Sequence, residues 1–274
     1  MKKSSIYFTS IVVILLIAAF EIWWIRSTDE PLLSKSVREQ KVLEKLQFEL
    51  EDPEQSPPLL REAVLRGFQI MNETTKYARE YSGDSITCSN CHFAGGNTTG
   101  GKNNGISLVG AAAQYPRYKE SFGKVITLEE RIQNCFEKSM NGKRIPYESQ
   151  IMTDLVAYLM WISKDTQVYK SLPWLSLPTL KTKSKGDAIA GRPLYTTYCT
   201  DCHGANGEGK IEDTITYPSL WGKSSFNLKA GLADPEMLAS FIFLNMPYQL
   251  AELSEQQARD ITAFILLQER PDDH

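Results

Sequence analysis

The sequence predicts a mostly α-helical chain with two tandem domains of one plan, placed behind an N-terminal transmembrane helix. Three observations predict this fold class. An apolar segment stands at the N-terminus, a proline-containing linker divides the remainder, and each side of the linker repeats the same order of cysteine motif and apolar-striped helix. A repeat of this size indicates a duplicated domain, because each copy is long enough to bury a core of its own.

Residues 1–30 have the character of an export segment. Lys2 and Lys3 precede an apolar run, and the span Ile6–Ile25 has about the length that a helix needs to cross a bilayer. No small-residue cleavage pattern follows, so an uncleaved anchor is favoured over a cleaved signal peptide. We therefore expect a chain anchored in the cytoplasmic membrane with its domains on the periplasmic or outer side. A soluble periplasmic protein is the less favoured alternative.

The rest of the chain divides into a spacer and two comparable domains. We expect the spacer at 31–57, a first domain at 58–172, a linker at 173–185 and a second domain at 186–274. Helical spacing of apolar residues predicts a helix from about Pro58 to Glu80, with Leu60 on its apolar face. Near the end of the domains, Asp154-Leu-Val-Ala-Tyr-Leu in the first matches Asp260-Ile-Thr-Ala-Phe-Ile in the second.

The composition excludes one broad class of partner. The chain has 274 residues, of which 42% are hydrophobic, and a formal net charge of −3. This hydrophobic fraction is sufficient for real cores, whereas a nucleic-acid-binding protein would show a strong basic excess. We therefore expect no nucleic-acid partner. Five cysteines and only three histidines, His92, His203 and His274, are present.

Each domain contains the motif C-x-x-C-H. Its members are Cys88, Cys91 and His92 in the first domain and Cys199, Cys202 and His203 in the second. This motif attaches c-type haem: the thiols bond the haem covalently and the histidine ligates the iron. A zinc site and a redox dithiol are the alternatives for C-x-x-C alone. The histidine after each pair and the export segment favour two covalently bound haems in domains that resemble class I cytochromes c.

In the second domain, we expect Met246 on the opposite side of the haem iron. A helix that begins near Asp234 must end near Pro247, and Met246 lies just before that end. Class I cytochromes place a ligating methionine in such a position. Met237 is the alternative ligand. By the same resemblance, the Pro218 carbonyl is expected to accept a hydrogen bond from the histidine of the second motif.

In the first domain, Cys135 is the expected counterpart of that methionine. The separation from His203 to Met246 is 43 residues, and the same separation counted from His92 leads to Cys135. This cysteine alone lies outside the attachment motifs, and an odd cysteine in an exported protein requires an explanation. A small buried apolar residue is the alternative. The repeat position favours thiolate ligation of the iron.

The surroundings of Cys135 indicate an anionic substrate. The capping box Thr127–Glu130 predicts the start of a helix on which Arg131, Cys135 and Ser139 recur every four residues. A cation and a hydroxyl would thus flank the thiol, and the cation can bind an anion. Residues 115–144 contain seven Lys or Arg and four Glu. Such a run is typical of a solvated face, and beside a haem it also favours an anionic substrate.

These residues resemble the dihaem thiosulfate dehydrogenase family. The resemblance covers roughly residues 60–270 and is carried by Cys88–His92, Tyr115–Tyr118, Arg131–Lys143, Tyr217–Gly222 and Asn245–Pro247. It implies oxidation of thiosulfate to tetrathionate, or the reverse reduction. It also implies that the first haem, with Cys135 as ligand, is the active site, where Arg131 and Ser139 hold the sulfur oxyanion. The second haem, with Met246 as ligand, would relay electrons.

Two positions depart from the family pattern. Many relatives carry an arginine 14 residues before the ligand cysteine, where this chain has Ser121. Some carry a lysine before the ligand methionine, where this chain has Asn245. Arg117, Lys119 and Lys124 are the candidates to replace the missing arginine.

The alternative function is non-catalytic electron transfer in a respiratory chain. Both functions require a redox partner, either a cytochrome or a membrane oxidase or quinone system.

Overall fold

The computed structural model describes residue 50 and residues 52–83, 85–212 and 215–272. The first half contains helices α1 (Arg61–Asn72), α2 (Thr74–Tyr77), α3 (Leu128–Asn134) and α4 (Gln150–Trp161), the π-helical turn Cys135–Ser139, and the antiparallel strands β1 (Arg117–Lys119) and β2 (Lys124–Ile126). The second half contains α5 (Ala188–Tyr198), α6 (Thr200–His203), α7 (Pro235–Asn245) and α8 (Glu255–Leu266), and the antiparallel strands β3 (Lys210–Glu212) and β4 (Ile215–Tyr217). Short 3-10 turns lie at Pro53–Gln55, Cys88–Asn90, Phe93–Gly96, Ala112–Gln114, Glu120–Phe122, Pro173–Leu175 and Gly231–Ala233.

Each half is built on a pair of packed helices, α1 with α4 and α5 with α8. In both pairs a glycine lets the two backbones touch. A Cβ atom on Gly67 would lie 2.1 Å from the carbonyl oxygen of Asp154, and one on Gly191 would lie 2.0 Å from that of Asp260. The two aspartates begin the matching segments seen in the sequence, so the sequence repeat corresponds to a repeat of helix packing.

The same aspartates hold the helix pairs together through hydrogen bonds. Arg66 Nε and Nη2 donate to the two carboxylate oxygens of Asp154, at 2.8 and 3.0 Å. The backbone N–H of Asp187, the N-cap of α5, donates to Asp260 Oδ1 at 2.8 Å. A glutamine one turn earlier on the same helix also donates to each aspartate, at 2.8 Å. These donors satisfy both buried carboxylates and fix the rotation of one helix against its partner.

The hydrophobic cores connect the two halves. Phe226 and Ala230, which belong to the second half of the sequence, are buried in the core of the first half. Leu232 packs against both cores. The second half therefore completes the first core, within the compact unit Leu50–His274. The largest buried apolar side chains of the first core are Phe136, Ile145, Met152, Leu155 and Tyr158, and those of the second include Tyr195, Leu238, Ile261 and Phe264.

The first predicted helix is shorter in the structure. Of the predicted range Pro58–Glu80, Arg61–Asn72 forms the continuous helix α1. At Glu73 the backbone leaves the helical region, with φ −126° and ψ 51°, and only the short α2 follows. The prediction that Leu60 lies on the apolar face was wrong, because this residue precedes the helix as its N-cap and is 52% exposed.

The prediction of a transmembrane helix is corrected. The expected span, Ile6–Ile25, lies outside the described residues, together with most of the spacer at 31–57. Among the helices that the structure describes, none combines the length and the apolar character that membrane crossing requires. The longest, α1, α4 and α8, have 12 residues, or about 18 Å, whereas the bilayer core is about 30 Å thick. The described fold is two mostly helical domains, and the expectation of a membrane partner through this helix is not supported.

Candidate active site

The first C-x-x-C-H motif forms a tight turn. Cys88–Asn90 is a 3-10 turn, and the Cys88 N–H donates to Thr74 Oγ1 at 3.0 Å. The ring Nδ1 of His92 lies 2.9 Å from the carbonyl oxygen of Ile106. Because a carbonyl oxygen can only accept, this contact requires a proton on Nδ1 and leaves the lone pair of Nε2 available for a metal.

The second motif repeats this geometry. Its histidine, His203, ends α6, and its Nδ1 lies 2.9 Å from the carbonyl oxygen of Pro218. This contact confirms the hydrogen bond predicted from the resemblance to class I cytochromes. Ile106 has the same role in the first half, and it was not predicted because no proline marks its position.

Burial gives both motifs the donor chemistry that c-type haem requires. Burial lowers the pKa of His92 to about 4 and also lowers the pKa of His203, so both imidazoles are neutral and able to ligate iron. Burial raises the pKa of Cys88, Cys91 and Cys199 to about 12, so these sites disfavour a thiolate. A thioether sulfur carries no charge and suits such a site. The residues therefore fit one covalently bound haem in each half.

Cys135 lies where a helix changes its hydrogen bonding. The capping box is as predicted: the Glu130 N–H donates to Thr127 Oγ1 at 3.2 Å, and the Thr127 N–H donates to Glu130 Oε2 at 3.0 Å. The segment Cys135–Ser139 is π-helical, and the Met140 N–H donates to the Cys135 carbonyl, five residues earlier, at 3.0 Å. Single π turns within α-helices occur frequently at functional sites.

Arg131 contacts the thiol directly. Its Nη1 lies 2.7 Å from Cys135 Sγ, as the predicted spacing of one helical turn requires. Electrostatic attraction to Cys135 raises the pKa of Arg131. The Tyr115 side chain also shares a hydrogen bond with Arg131, and burial raises the pKa of this tyrosine. A sulfur atom, a guanidinium group and a phenol thus meet in a half-buried cluster.

Lys119 extends this cluster. It is half-buried on β1, and burial, followed by the charges of Arg131 and Arg117, lowers its pKa. Its cross-strand partner on β2 is Lys124, whose ammonium group instead forms a salt bridge with Glu130, at 2.5 Å. Of the three cations considered as replacements for the missing arginine, Lys119 therefore combines burial with electrostatic contact to the cysteine helix.

The two serines of interest lie in different elements. Ser139 is the last residue of the π turn and is half-buried. Ser121 is exposed in the 3-10 turn that connects β1 to β2. The predicted α-helical stripe holds from Arg131 to Cys135. It does not continue to Ser139, because a π turn is wider than an α turn and the Cys135 carbonyl accepts from the Met140 N–H.

Met246 lies at the predicted end of a helix. It is the C-cap of α7, and its N–H donates to the Ile242 carbonyl at 2.9 Å. Its side chain packs against the second core. The alternative ligand, Met237, lies in the first turn of the same helix, where its N–H donates to Asp234 Oδ1 at 2.9 Å. The two methionines therefore occupy opposite ends of α7.

Both halves match known cytochrome families. Residues 75–168 match the SoxA/TsdA cytochrome c domain, and residues 188–268 match cytochrome c. The thiosulfate dehydrogenase of Thiomonas intermedia is 39% identical over 213 residues, which are 77% of this chain and 67% of that protein. That of Allochromatium vinosum is 33% identical over 215 residues, 77% of this chain and 80% of that protein. The chain belongs to the thiosulfate dehydrogenase family.

The fold comparison agrees with this assignment to the thiosulfate dehydrogenase family. The structure of the thiosulfate dehydrogenase (TsdBA) from Marichromatium purpuratum, in its as-isolated form, matches with a TM-score of 0.76 and 30% sequence identity over 82% of this chain. The chain spans 50% of the length of that protein chain. A cytochrome c domain around each attachment motif confirms the prediction of two covalently bound haems c.

Sequence reasoning missed two parts of the site in this thiosulfate dehydrogenase family member. One is the β1–β2 hairpin that carries Lys119; its signal was Gly123, which has φ 65° in the connecting turn. The other is the π turn at Cys135, which no local residue pattern marks. Buried Asn227 and Asn245, which bond across the two halves, were also not recognised as structural contacts.

Proposed function

We propose that this chain joins two thiosulfate ions into tetrathionate, or runs the reverse reduction, at a site built around Cys135. The observation that carries the proposal is the 2.7 Å contact between Arg131 Nη1 and Cys135 Sγ inside a half-buried cationic cluster. The positive charge of the cluster favours dianions such as thiosulfate. Membership of the thiosulfate dehydrogenase family supports the same reaction.

We assign the haem-binding residues by half. In the first half, the attachment motif with its histidine and Cys135 would hold one haem. In the second half, the corresponding motif with its histidine and Met246 would hold the other haem. We propose domain limits at 58–172 and 186–274, with a linker at 173–185. The matches at residues 75–168 and 188–268 fall inside these limits and support them.

The overall reaction releases two electrons: 2 S2O3(2−) → S4O6(2−) + 2 e−. When bound, each haem supplies a one-electron acceptor, so that two haems match one turnover. The chain then has to hold two mutually repelling dianions close together. Arg131 and Lys119 supply positive charge for this purpose, and Ser139 is the proposed hydroxyl donor to a thiosulfate oxygen.

We propose that Cys135 forms a transient covalent adduct. Its Sγ, when not bound to iron, bonds to the outer sulfur of the first thiosulfate with loss of two electrons to the two bound haems, which gives Cys135 Sγ–S–SO3(−). The outer sulfur of the second thiosulfate attacks the sulfur bound to Cys135. The bond to Cys135 breaks, tetrathionate leaves, and the thiolate is restored. Arg131 stabilises the leaving thiolate because its Nη1 lies at hydrogen-bonding distance.

We propose that this chemistry takes place outside the cytoplasm. The basic and apolar N-terminal sequence at residues 1–30 is typical of exported proteins, and it supports this location. The electrons leave through a redox partner, for which a small cytochrome or a membrane oxidase or quinone system is suitable.

One observation favours a second candidate function. Ser121 stands where many relatives carry an arginine. It is exposed on the β1–β2 turn, and a serine supplies no positive charge there. A chain without turnover would be an electron-transfer dihaem cytochrome, in which the thiolate ligand lowers a haem potential. A steady-state assay with thiosulfate, or with tetrathionate and a reductant, separates the two functions.

The decisive substitution is Cys135→Gly in the haem-loaded protein. We expect loss of thiosulfate oxidation and of tetrathionate reduction, with both haems still attached, because neither attachment motif is changed. Asn134→Gly is the matched control: it introduces the same helix-weakening residue at the neighbouring position and keeps the thiol. Activity that survives Cys135→Gly would exclude the catalytic role of this cysteine.

A further inference from the structure

The π turn that carries Cys135 is completed by a residue of the second half. Within the turn, the Met140 N–H donates to the Cys135 carbonyl at 3.0 Å, and the Gly142 N–H donates to the Phe136 carbonyl at 2.8 Å. The next two carbonyls find their donors on Asn227. Its Nδ2 donates to the carbonyl of residue 137 at 3.1 Å, and its backbone N–H donates to that of residue 138 at 3.2 Å. One asparagine therefore caps the turn from across the chain.

Asn227 is itself held in a fixed orientation. It is completely buried. Its Oδ1 accepts the Lys229 N–H at 2.9 Å, and its carbonyl accepts the Ala230 N–H at 3.0 Å. This local turn uses the acceptor end of the amide and directs the donor end at the π turn. Both ends of the side chain are thus satisfied without solvent.

The residues beside Asn227 anchor it to the first half. Phe226 and Ala230 are buried in the same core as Phe136 and Met140, which lie on and just after the π turn. Arg270 stacks on the Phe226 ring, with its guanidinium carbon 4.5 Å from the ring centroid. The asparagine therefore meets the π turn from a packed support rather than from a mobile loop.

We propose that Asn227 is a positioning residue for Cys135, so that the second half of the chain sets the placement of the thiol in the first half. An ordinary α turn would bond the Cys135 carbonyl to the N–H of residue 139, whereas the wider turn bonds it to the N–H of residue 140, and the carbonyls of residues 137 and 138 accept from Asn227. Asn227 stabilises the wider form by supplying two donors. This inference rests on the proposed role of Cys135 and adds the residue that positions its thiol.

The chemistry of the contact requires an amide. Aspartate has nearly the same shape as asparagine but has no N–H, and it would set a carboxylate oxygen against a carbonyl oxygen. Alanine would remove the side-chain donor to the carbonyl of residue 137. Both substitutions retain the backbone N–H, so they remove the side-chain half of the cap alone.

The test uses the full-length, haem-loaded Asn227→Asp and Asn227→Ala variants. We expect weakening or loss of the electron paramagnetic resonance signal of the cysteine-ligated ferric haem. We also expect faster amide hydrogen exchange at Met140 and Gly142, and kcat/KM for thiosulfate lowered roughly tenfold, the size expected for one lost buried hydrogen bond. If these variants do not fold, Asn227→Ser, which retains a donor on a shorter side chain, should show the same changes at smaller amplitude.

Gln268→Ala is the matched control. The Gln268 amide also donates to a backbone carbonyl, that of Phe264, at 2.9 Å, but this contact lies at the C-terminal end of α8 and within the second half. We expect it to leave the cysteine-ligated signal intact. An unchanged signal and unchanged exchange in folded Asn227 variants would overturn the proposal. Cys135→Gly tests the ligand itself: if it leaves the signal unaltered, the role of Cys135 fails instead.

Discussion

At the scale of single residues, Lys119 adds a second positive charge beside Arg131 in the cysteine cluster. Ser121 cannot supply the charge of an arginine, but two residues earlier Lys119 is drawn into the cluster of Arg131 and Cys135. Burial beside two other cations destabilises its ammonium group, and a bound dianion relieves that cost. Lys119 is therefore expected to contribute to substrate binding.

The first prediction concerns this lysine. Lys119→Ala should raise KM for thiosulfate about tenfold or more with a smaller effect on kcat, because one ion contact to a partly desolvated dianion is worth about 1.5–3 kcal/mol. Lys119→Arg should restore most of the affinity. Steady-state kinetics over a range of ionic strength measures both effects.

Lys124→Ala provides the comparison, since Lys124 is the cross-strand partner of Lys119 but is paired with Glu130. Its KM should change less than twofold, because its ammonium group is exposed and already paired with Glu130. Equal effects of the two substitutions would show that the hairpin acts through its general charge alone.

Local chemistry determines how much of the site could be predicted. The attachment motifs were predictable because adjacent residues specify them, and the Pro218 contact because the second half resembles class I cytochromes c. The Ile106 contact depends on how a loop folds back and no residue type marks it, whereas Gly123 alone marks the hairpin that carries Lys119. Asn227 was not predictable, because its partners lie about 90 residues away in the sequence.

At the scale of elements, each half depends on one close helix crossing. Gly191 allows α5 to touch the backbone of α8 at Asp260, as Gly67 allows α1 to touch α4. Alanine at Gly191 would place its Cβ 2.0 Å from a backbone oxygen, which cannot move without moving the helix. The helices must therefore separate to accept any side chain.

The second prediction follows from this crossing. Gly191→Ala should lower the free energy of unfolding by ~2 kcal/mol or more, although alanine is the better helix former by ~1 kcal/mol. Denaturant titration of the haem-loaded protein measures it. Gly231→Ala is the control, because its Cβ would meet no atom within 4 Å, and its effect should be small. A variant at Gly191 as stable as the parent would contradict the packing argument.

Element boundaries were predictable where a capping residue marks them. Thr127 and Glu130 form the expected box, and α7 begins with Pro235 and ends before Pro247 as expected. The two hairpins were missed because their strands have three residues each, too few for an alternating pattern to emerge. The π turn was missed because two of its carbonyls accept hydrogen bonds from Asn227, in the other half of the chain.

At the scale of the whole molecule, the halves are joined around both haem-binding regions. The Gly105 N–H donates to Asn245 Oδ1 at 2.9 Å, beside the segment that orients His92. Asn90 Nδ2, inside the first attachment motif, donates to the Thr216 carbonyl at 2.9 Å, close to the acceptor of the second histidine. Each of these hydrogen bonds connects the haem-attachment region of the first half to residues near the proposed iron ligands of the second half.

Aromatic packing strengthens the same boundary. Phe93, which directly follows the first motif, meets the Tyr248 ring edge-on with centroids 5.2 Å apart, and the Phe241 ring at 6.1 Å. The Asn103 N–H also donates to the Leu244 carbonyl at 2.8 Å. Apolar contact and buried hydrogen bonds together indicate that the two halves unfold as one unit.

The last prediction tests this coupling through Asn245. The intact haem-loaded protein should give a single calorimetric transition, because Asn245, Phe226 and Ala230 all bury one half against the other. Asn245→Ala removes the acceptor of the buried Gly105 N–H, which costs about 1–3 kcal/mol at the boundary. The transition should then broaden or divide in two, since the halves retain separate helix pairs. Asn206→Ala, in an exposed loop of the second half, should leave the transition unchanged. Two separate transitions in the parent protein would contradict the coupling, and an unaltered transition in Asn245→Ala would exclude Asn245 as its source.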